Sequence, residues 1–245
     1  MEKFEGFPEQ RTEKPIKLTR EDVIKRIEKG ENLENFNLAD LDLSDLNFEG
    51  KSFRGSDIRG ITFENANIKN ADFTNAVIAD LGPEVLFARV NAEGATFGFT
   101  ENLVARRKHQ REAGKPPQAA DFSGLFNFNG SVGNFRKTKW LNADFGGGSG
   151  YEAIFPDADL SEAEITGCDL HQIDFSETKI DKIKIIDPVS LQGMKIAKNQ
   201  IEALVHSIQL TNEKAQAEFL QEIKEKGARK ALEDFFGIVI VGIKD

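Results

Sequence analysis

Residues 33–78 read LENFNLAD LDLSDLNFEG KSFRGSDIRG ITFENANIKN ADFTNAVI, with an apolar residue at every fifth position. These are Leu33, Leu38, Leu43, Phe48, Phe53, Ile58, Phe63, Ile68, Phe73 and Ile78. A period of five suits neither regular structure. On a helix, steps of about 100° would scatter these side chains round the cylinder, and on a strand they would alternate faces. The chain must therefore turn once per unit, so that every central residue points to a common axis and the units stack as a solenoid.

The corner carries its own signal. Two residues after each centre stands Asn35, Asp40, Asp45, Gly50, Gly55, Gly60, Asn65, Asn70, Asn75 or Asp80. These types accept a left-handed backbone at least cost, as the third residue of a type II turn requires. The residue before the centre is short and polar at Asn32, Asn37, Asp42, Asn47, Ser52, Asp57, Thr62, Asn67 and Asp72.

This pattern, clearest in Ala66-Asn67-Ile68 and Ala71-Asp72-Phe73, resembles the pentapeptide-repeat family. The resemblance implies a mainly β fold, a right-handed four-sided β-helix solenoid with one pentapeptide per side and α-helical caps at both ends. Each coil would add about one strand spacing of 4.8 Å. The expected division is residues 1–30 as lead-in and N-terminal cap helix, 31–187 as β-helix with a loop inserted at about 98–119, and 188–245 as helical cap and apolar tail.

After Ile78 the phase breaks at Leu81-Gly82-Pro83, and Phe87, Ala92 and Phe97 carry three more sides in a shifted register. Residues 101–113 read as a short solvated helix with the basic cluster Arg106, Arg107, Lys108 and Arg111. A strict phase returns at Phe135, Trp140, Phe145, Gly150, Phe155, Leu160, Ile165, Leu170, Phe175, Ile180 and Ile185. Stacking of residues twenty apart predicts an aromatic ladder of Phe135, Phe155 and Phe175, and another of Phe53 and Phe73. The second block has less uniform corners, such as Glu162 and Gln172, which predicts a change of turn type.

Thr19 is placed as a helix N-cap, with Asp22 completing a capping box, Val23, Ile24 and Ile27 on one face and Gly30 as the stop. Pro188 is expected to end the repeats. A helix over 198–210 then closes the upper end, a second capped by Thr211 runs to Lys226, and a third ends at Phe236. The apolar tail Ile238-Val239-Ile240-Val241 must be covered, either by the caps of its own chain or by a second copy. Gyrase-protecting members of the family are dimers joined at their C-terminal ends. The resemblance therefore favours a homodimer through residues 228–245.

The chain has 245 residues and a net charge of −9. The acidity lies in the repeats: 31–80 and 121–187 carry −6 each, whereas 81–120 carries +2. Cys168 is the only cysteine, so an intrachain disulfide is impossible. No apolar run reaches membrane-spanning length, and the N-terminus is too charged for a secretory signal. A cytoplasmic bacterial protein is the expectation. Delivery to a host as an effector through another secretion signal is a weaker alternative.

No catalytic, cofactor-binding or metal-binding set emerges. His109, His171 and His206 lie far apart and lack metal-ligand spacing to Cys168. The run Gly146-Gly147-Gly148-Ser149-Gly150 is not followed by Gly-Lys-Ser/Thr, so it makes no phosphate loop. Aspartates before a centre, such as Asp144, Asp159, Asp169 and Asp174, point outward and lack the shelter that acid and base work requires.

The sequence thus reads as a non-enzymatic protein-interaction scaffold whose protein partner it does not name. It needs no cofactor, membrane or direct nucleic-acid contact. Candidate partner-binding residues are Arg106, Arg107, Lys108 and Arg111 in the insertion, and Asp157, Asp159, Glu162 and Glu164 in the second block. The alternative, implied by the family resemblance, is a DNA-mimicking binder of DNA gyrase or another DNA-binding protein. Against it stand Arg136, Lys137 and Lys139, which break a uniformly negative surface.

Overall fold

The short polar residue before each centre builds the corner that follows it. In a computed structural model of the chain, which describes residues 15–77, 85–98, 128–129, 133–141, 145 and 155–242, its side-chain oxygen accepts the backbone N–H two residues on. Asn37 Oδ1 accepts from Ala39 at 3.0 Å, Asp42 Oδ1 from Ser44 at 2.9 Å and Asp72 Oδ1 from Thr74 at 2.8 Å. The same bond recurs from Ser161 to Asp159 and from Ser176 to Asp174, both at 2.9 Å. Such Asx turns fold the chain sharply. The next residue enters the left-handed region, with φ 63° at Asn35, 64° at Gly55 and 61° at Asn75.

The expected change of turn type does not occur at most second-block corners. Lys137, Glu162, Gln172 and Lys182 hold φ between 55° and 61°, and Glu177 is a corner without positive φ. Ladder bonds decide this against residue preference: the Glu162 N–H donates to Asp181 O at 2.8 Å and that of Gln172 to Gln192 O at 2.9 Å. Neighbouring coils hold the corner in a conformation that costs a side chain of this type about 1 kcal/mol.

Parallel pairing links successive repeats in four rows. In the first block, Asn37 pairs with Asp57, Asp42 with Thr62, Asn47 with Asn67 and Ser52 with Asp72, each twenty residues on. The longest row becomes a six-stranded parallel sheet of β1 (Asp72–Thr74), β3 (Thr96–Gly98), β5 (Lys139–Leu141), β6 (Glu164–Thr166), β7 (Lys184–Ile186) and β9 (Ile208–Gln209). The short strands β2 (Val85–Leu86) and β4 (Phe128–Asn129) pair in another row. The parallel rows are thus assembled from isolated bridges and two- or three-residue strands.

The spacing departs from twenty at defined places. Phe73 pairs with Phe97, as the shifted register predicts, and Phe97 with Trp140 across residues 99–127. Trp140 then pairs with Ile165, twenty-five residues on. This corrects the expected ladder at Phe135, whereas Phe155 and Phe175 do share a row, the Asp157 N–H donating to Glu177 O at 3.0 Å. The Phe135 N–H donates to Asp159 O at 2.8 Å, so Phe135 stacks on Leu160. Phe155 belongs to the adjacent row, and its ring meets Phe135 edge-on at 5.5 Å and 86°. The aromatic ladder is Phe53, Phe73, Phe97 and Trp140, whose rings stack nearly parallel at 4.6, 4.9 and 4.4 Å.

These rings are fully buried, and each contributes roughly 1.5–3 kcal/mol of apolar transfer. The polar edge of Trp140 is satisfied inside: Nε1 donates to Thr138 Oγ1, which donates to Phe135 O, both at 2.8 Å. Cys168 is buried.

The lower cap is helix α1 (Arg20–Glu28), with the predicted Thr19–Asp22 capping box in place. Bonds from Thr19 hold the Asp22 carboxyl below its ordinary range. Val23 is buried against the first coil, and the Arg20 guanidinium donates to the open carbonyls of Asp42 and Ser44.

At the upper end the ladder does not stop at Pro188. Asp169 pairs with Ser190 and Asp174 with Lys195, in strand β8 (Lys195–Ala197). Pro188 occupies a one-residue excess in the spacing, and the N–H of Val189 makes the bond to Cys168 O at 2.8 Å. No ladder donor is lost. The helix expected over 198–210 is reduced to a 3-10 turn (Lys198–Gln200) and α2 (Ile201–Val205), because Ile208 leaves it to pair with Ile185.

Helix α3 (Glu213–Lys226) is capped by Asn212, one residue after the expected Thr211, and ends at Gly227. Helix α4 (Ala228–Phe236) ends at Gly237 with φ 67°. The tail then returns as β10 (Val239–Val241), laid parallel on β8 with Ile240 beside Ile196. Its segment is therefore covered on one edge by its own chain, the first of the two courses open to it.

Candidate interaction surface

The row of Phe48, Ile68, Ala92, Phe135, Leu160 and Ile180 carries an amide ribbon on its outer side. Nδ2 of Asn67 donates to Asn47 Oδ1 at 2.9 Å, Asn91 to Asn67 at 3.1 Å and Asn134 to Asn91 at 3.0 Å. The ribbon continues through Asp159 to Lys179. The recurrence of Asn before successive centres was a visible signal for this ladder, although only the register across 99–127 brings Asn134 onto Asn91.

The acidic candidates sit where this row and its neighbour meet the second block. Asp157 occupies a corner at φ 56°. Asp159 lies 3.4 Å from Lys179 Nζ and 3.6 Å from Arg136, which also pairs with Glu162. Glu164 is 4.0 Å from Lys184. Burial pushes the Asp159 carboxyl up, but bonds from Ser161 and the charge of Lys179 outweigh it and hold the group below its ordinary range. Three of the four carboxylates therefore face a cation from the next coil. The basic candidates Arg106, Arg107, Lys108 and Arg111 lie outside the described residues, as does the 146–150 glycine run.

The structure does not gather the histidines. His171 pairs with Asp169 at 3.0 Å, His206 stands beside Glu202 at 3.8 Å in α2's exit, and His109 lies outside the described residues. Among the described residues no group of three His, Cys, Asp or Glu could hold a metal ion. A groove of about 540 Å³ borders β8 and β10, lined by Asp174, Glu177 and Lys195. Asp174 is half exposed and 3.7 Å from Lys195 Nζ, so it lacks the shelter a catalytic acid needs. Among the described residues no helix is long and apolar enough to cross a membrane.

Sequence reasoning missed two groups that finish the solenoid's ends. One is Arg20. The other is Gln200, whose Nε2 donates to Phe175 O at 2.8 Å and Thr178 O at 2.6 Å while Oε1 accepts from the Ala197 N–H at 2.7 Å. A lone polar residue in a cap has no sequence periodicity to reveal it.

The family model for pentapeptide repeats matches residues 52–78 and 151–180, with eight copies. Those two stretches are pentapeptide repeats. Like it among solved structures is a trypsin-treated form of QnrB1, described as a plasmid-mediated fluoroquinolone resistance protein. The likeness spans 84% of this chain and 91% of that one, at 17% identity and TM-score 0.26. Full-length QnrB1 is 14% identical over 75% of this chain and 99% of its own, with TM-score 0.20. HetL, described as a pentapeptide-repeat protein involved in heterocyst differentiation regulation in the cyanobacterium Nostoc sp. strain PCC 7120, is 15% identical. That match covers 73% of this chain and 91% of HetL, at TM-score 0.18. No curated protein sequence matches the chain.

Proposed function

We propose that this protein is a rigid, non-enzymatic interaction scaffold: a right-handed, four-sided rod whose inserted segment carries partner recognition. The division into N-terminal cap, β-helix and C-terminal cap follows the sequence reading, with the upper boundary moved past Lys195. One observation carries the proposal. Thr96 pairs directly with Lys139, and Asn91 with Asn134, across residues 99–127. Both rows resume in register beyond that segment, and we assign its basic cluster Arg106, Arg107, Lys108 and Arg111 a function other than folding. An acidic protein partner suits four clustered cations.

DNA mimicry has less support. A phosphate-like surface requires carboxylates without interleaved cations, and Asp159, Glu162 and Glu164 each have one within 4.0 Å. The aspartates before the centres also have a structural task in the corners, which accounts for part of the acidity without a partner.

The test is capture of partners from a bacterial lysate by the wild-type chain and by a variant with all four basic residues replaced by serine, with purified DNA gyrase assayed beside it. The scaffold reading expects a partner retained by the wild type and lost by the variant. Equal capture by both, or a variant that does not fold, would remove the insertion from the proposal. Binding of gyrase weakened by Asp157→Asn and Glu164→Gln would revive the mimic.

A further inference from the structure

The Phe48 row runs without a gap through Phe48, Ile68, Ala92, Phe135, Leu160 and Ile180, its bridges passing from Asn47 through Asn67, Asn91, Asn134 and Asp159 to Lys179. Its outer side is therefore a strip built from six successive coils. The sign of its charge alternates from coil to coil. The first carries Glu49, the second Lys69, the third Glu93 and the fourth Arg136 with Lys137. The fifth carries Asp159 and Glu162, and the sixth is net positive through Lys179 and Lys182 against Asp181. Pairs between adjacent coils hold these groups in place: Lys69–Glu93 at 3.5 Å, Lys137–Glu93 at 3.7 Å, Lys179–Asp159 at 3.4 Å.

An alternating series with an even number of members pairs all its members with opposite signs, in full overlap, only when one copy is reversed. Two such strips face to face and parallel, in register, set each coil against its own sign. Turned about a two-fold axis that crosses the rod between the third and fourth coils, the first coil meets the sixth, the second the fifth and the third the fourth. Every facing pair is then of opposite sign. Closed two-fold contacts of this kind are isologous and stop at a dimer.

We infer that the strip over the Phe48 row is a docking surface for a second copy of this chain, in antiparallel alignment. The inference rests on the four-row arrangement and is independent of what the insertion binds. The strip measures roughly 29 Å by 10 Å, from six coils at strand spacing and about three extended residues across. That is roughly 300 Å² a side, well below the ~800 Å² of a standard interface, so the dimer is weak and its specificity electrostatic. Because the charges are already ordered by their neighbours in the chain, little side-chain freedom remains to be lost on docking.

Sedimentation equilibrium of the full chain at low and high ionic strength, over a wide concentration range, tests this. The expected result is a monomer–dimer equilibrium that shifts to monomer with added salt. Lys69→Glu and Glu162→Lys, which face each other across the axis, should each weaken the dimer about tenfold or more, and the double variant should restore it. Thermal melts establish that all three variants are folded. A monomer throughout at low salt overturns the inference, as does a dimer that neither single change weakens. Weakening by both singles without restoration by the double rules out the antiparallel alignment and so overturns it too.

Discussion

Asn134 donates from Nδ2 to Asn91 Oδ1 at 3.0 Å although forty-three residues separate them along the chain. The bond lies in the same row and has the same geometry as that between Asn67 and Asn47, twenty residues apart. The row therefore resumes in register beyond residues 99–127, as one expects where each unit contacts only its neighbours.

Charge removal in that segment should consequently leave the rod intact. The variant with Arg106, Arg107, Lys108 and Arg111 all changed to serine is expected to melt within about 2 °C of wild type, the shift that exposed surface substitutions produce in a chain of this size. Differential scanning calorimetry reads this directly. A drop of many degrees would make the segment part of the fold.

The core prediction concerns Phe97, which stacks on Phe73 at 4.9 Å and on Trp140 at 4.4 Å and is fully buried. Phe97→Ala should cost about 3–5 kcal/mol, because a gap in the middle of a stack of rings cannot close without shifting two coils. Phe155→Ala should cost a similar amount, since Phe155 is equally buried between Phe135 and Phe175. Urea titrations of both variants check the pair, and a clearly smaller loss for Phe97 would contradict the stacking.

Why the first aromatic ladder was legible and the second was not follows from arithmetic on the period. In the first block nothing is inserted, so Phe53 and Phe73 fall on one row as read. Between Trp140 and Ile165 the chain holds one extra unit of five residues. An insertion equal to the period leaves the apolar phase undisturbed, so Phe155 looked like the partner of Phe135 and is its diagonal neighbour. Gly150, an apolar position occupied by glycine, was the trace it left in the sequence. The four-residue excess before Phe87 does change the phase, and that register was read correctly. The acidic cluster was legible as residues but not as a surface, because Arg136 reaches Asp159 and Glu162 only through the same hidden shift.

At the upper end, Gln200 is expected to matter more than its position in a cap suggests. It is 8% exposed and makes three bonds to backbone groups at the top of the ladder. Gln200→Ala should destabilise by roughly 1–3 kcal/mol, the cost of leaving buried carbonyls without donors. Gln200→Glu keeps the shape but removes the donor, and should cost as much or more. Denaturant midpoints for the two variants distinguish loss of packing from loss of hydrogen bonds, and an unperturbed Gln200→Glu would show that water replaces the amide.

The corners offer a backbone test. Gly94 has φ 72°, and a Cβ there would collide with the Asn70 side chain in the coil below. Gly94→Ala should therefore lose about 1–2 kcal/mol from the left-handed backbone alone, with the collision added. At Gln172, where φ is 58°, Gln172→Gly relieves the same strain at the cost of greater freedom in the unfolded chain, and the two effects nearly cancel. Parallel thermal melts should show a loss at the first position and little change at the second.

The last expectation is a dependence on pH. Burial pushes the Asp72 carboxyl up, but bonds from Thr74 and the guanidinium of Arg54 at 3.0 Å outweigh it, and the group titrates below its ordinary value; Asp159 behaves alike, through Ser161 and Lys179. A carboxyl whose folded value lies below its unfolded one stabilises the fold fully above the unfolded value, about 3.9. That contribution falls away as pH drops through the folded value. The melting temperature should thus be nearly flat from pH 7 to about pH 5 and decline below about pH 4. Asp72→Asn and Asp159→Asn keep an oxygen that can accept the corner N–H bond but cannot ionise, so each should make the decline shallower while lowering stability at neutral pH, where the ionised acceptor is the stronger one. Melts at half-unit pH intervals measure both slopes. A decline as steep in the variants as in the wild type would place the acid sensitivity on other carboxylates.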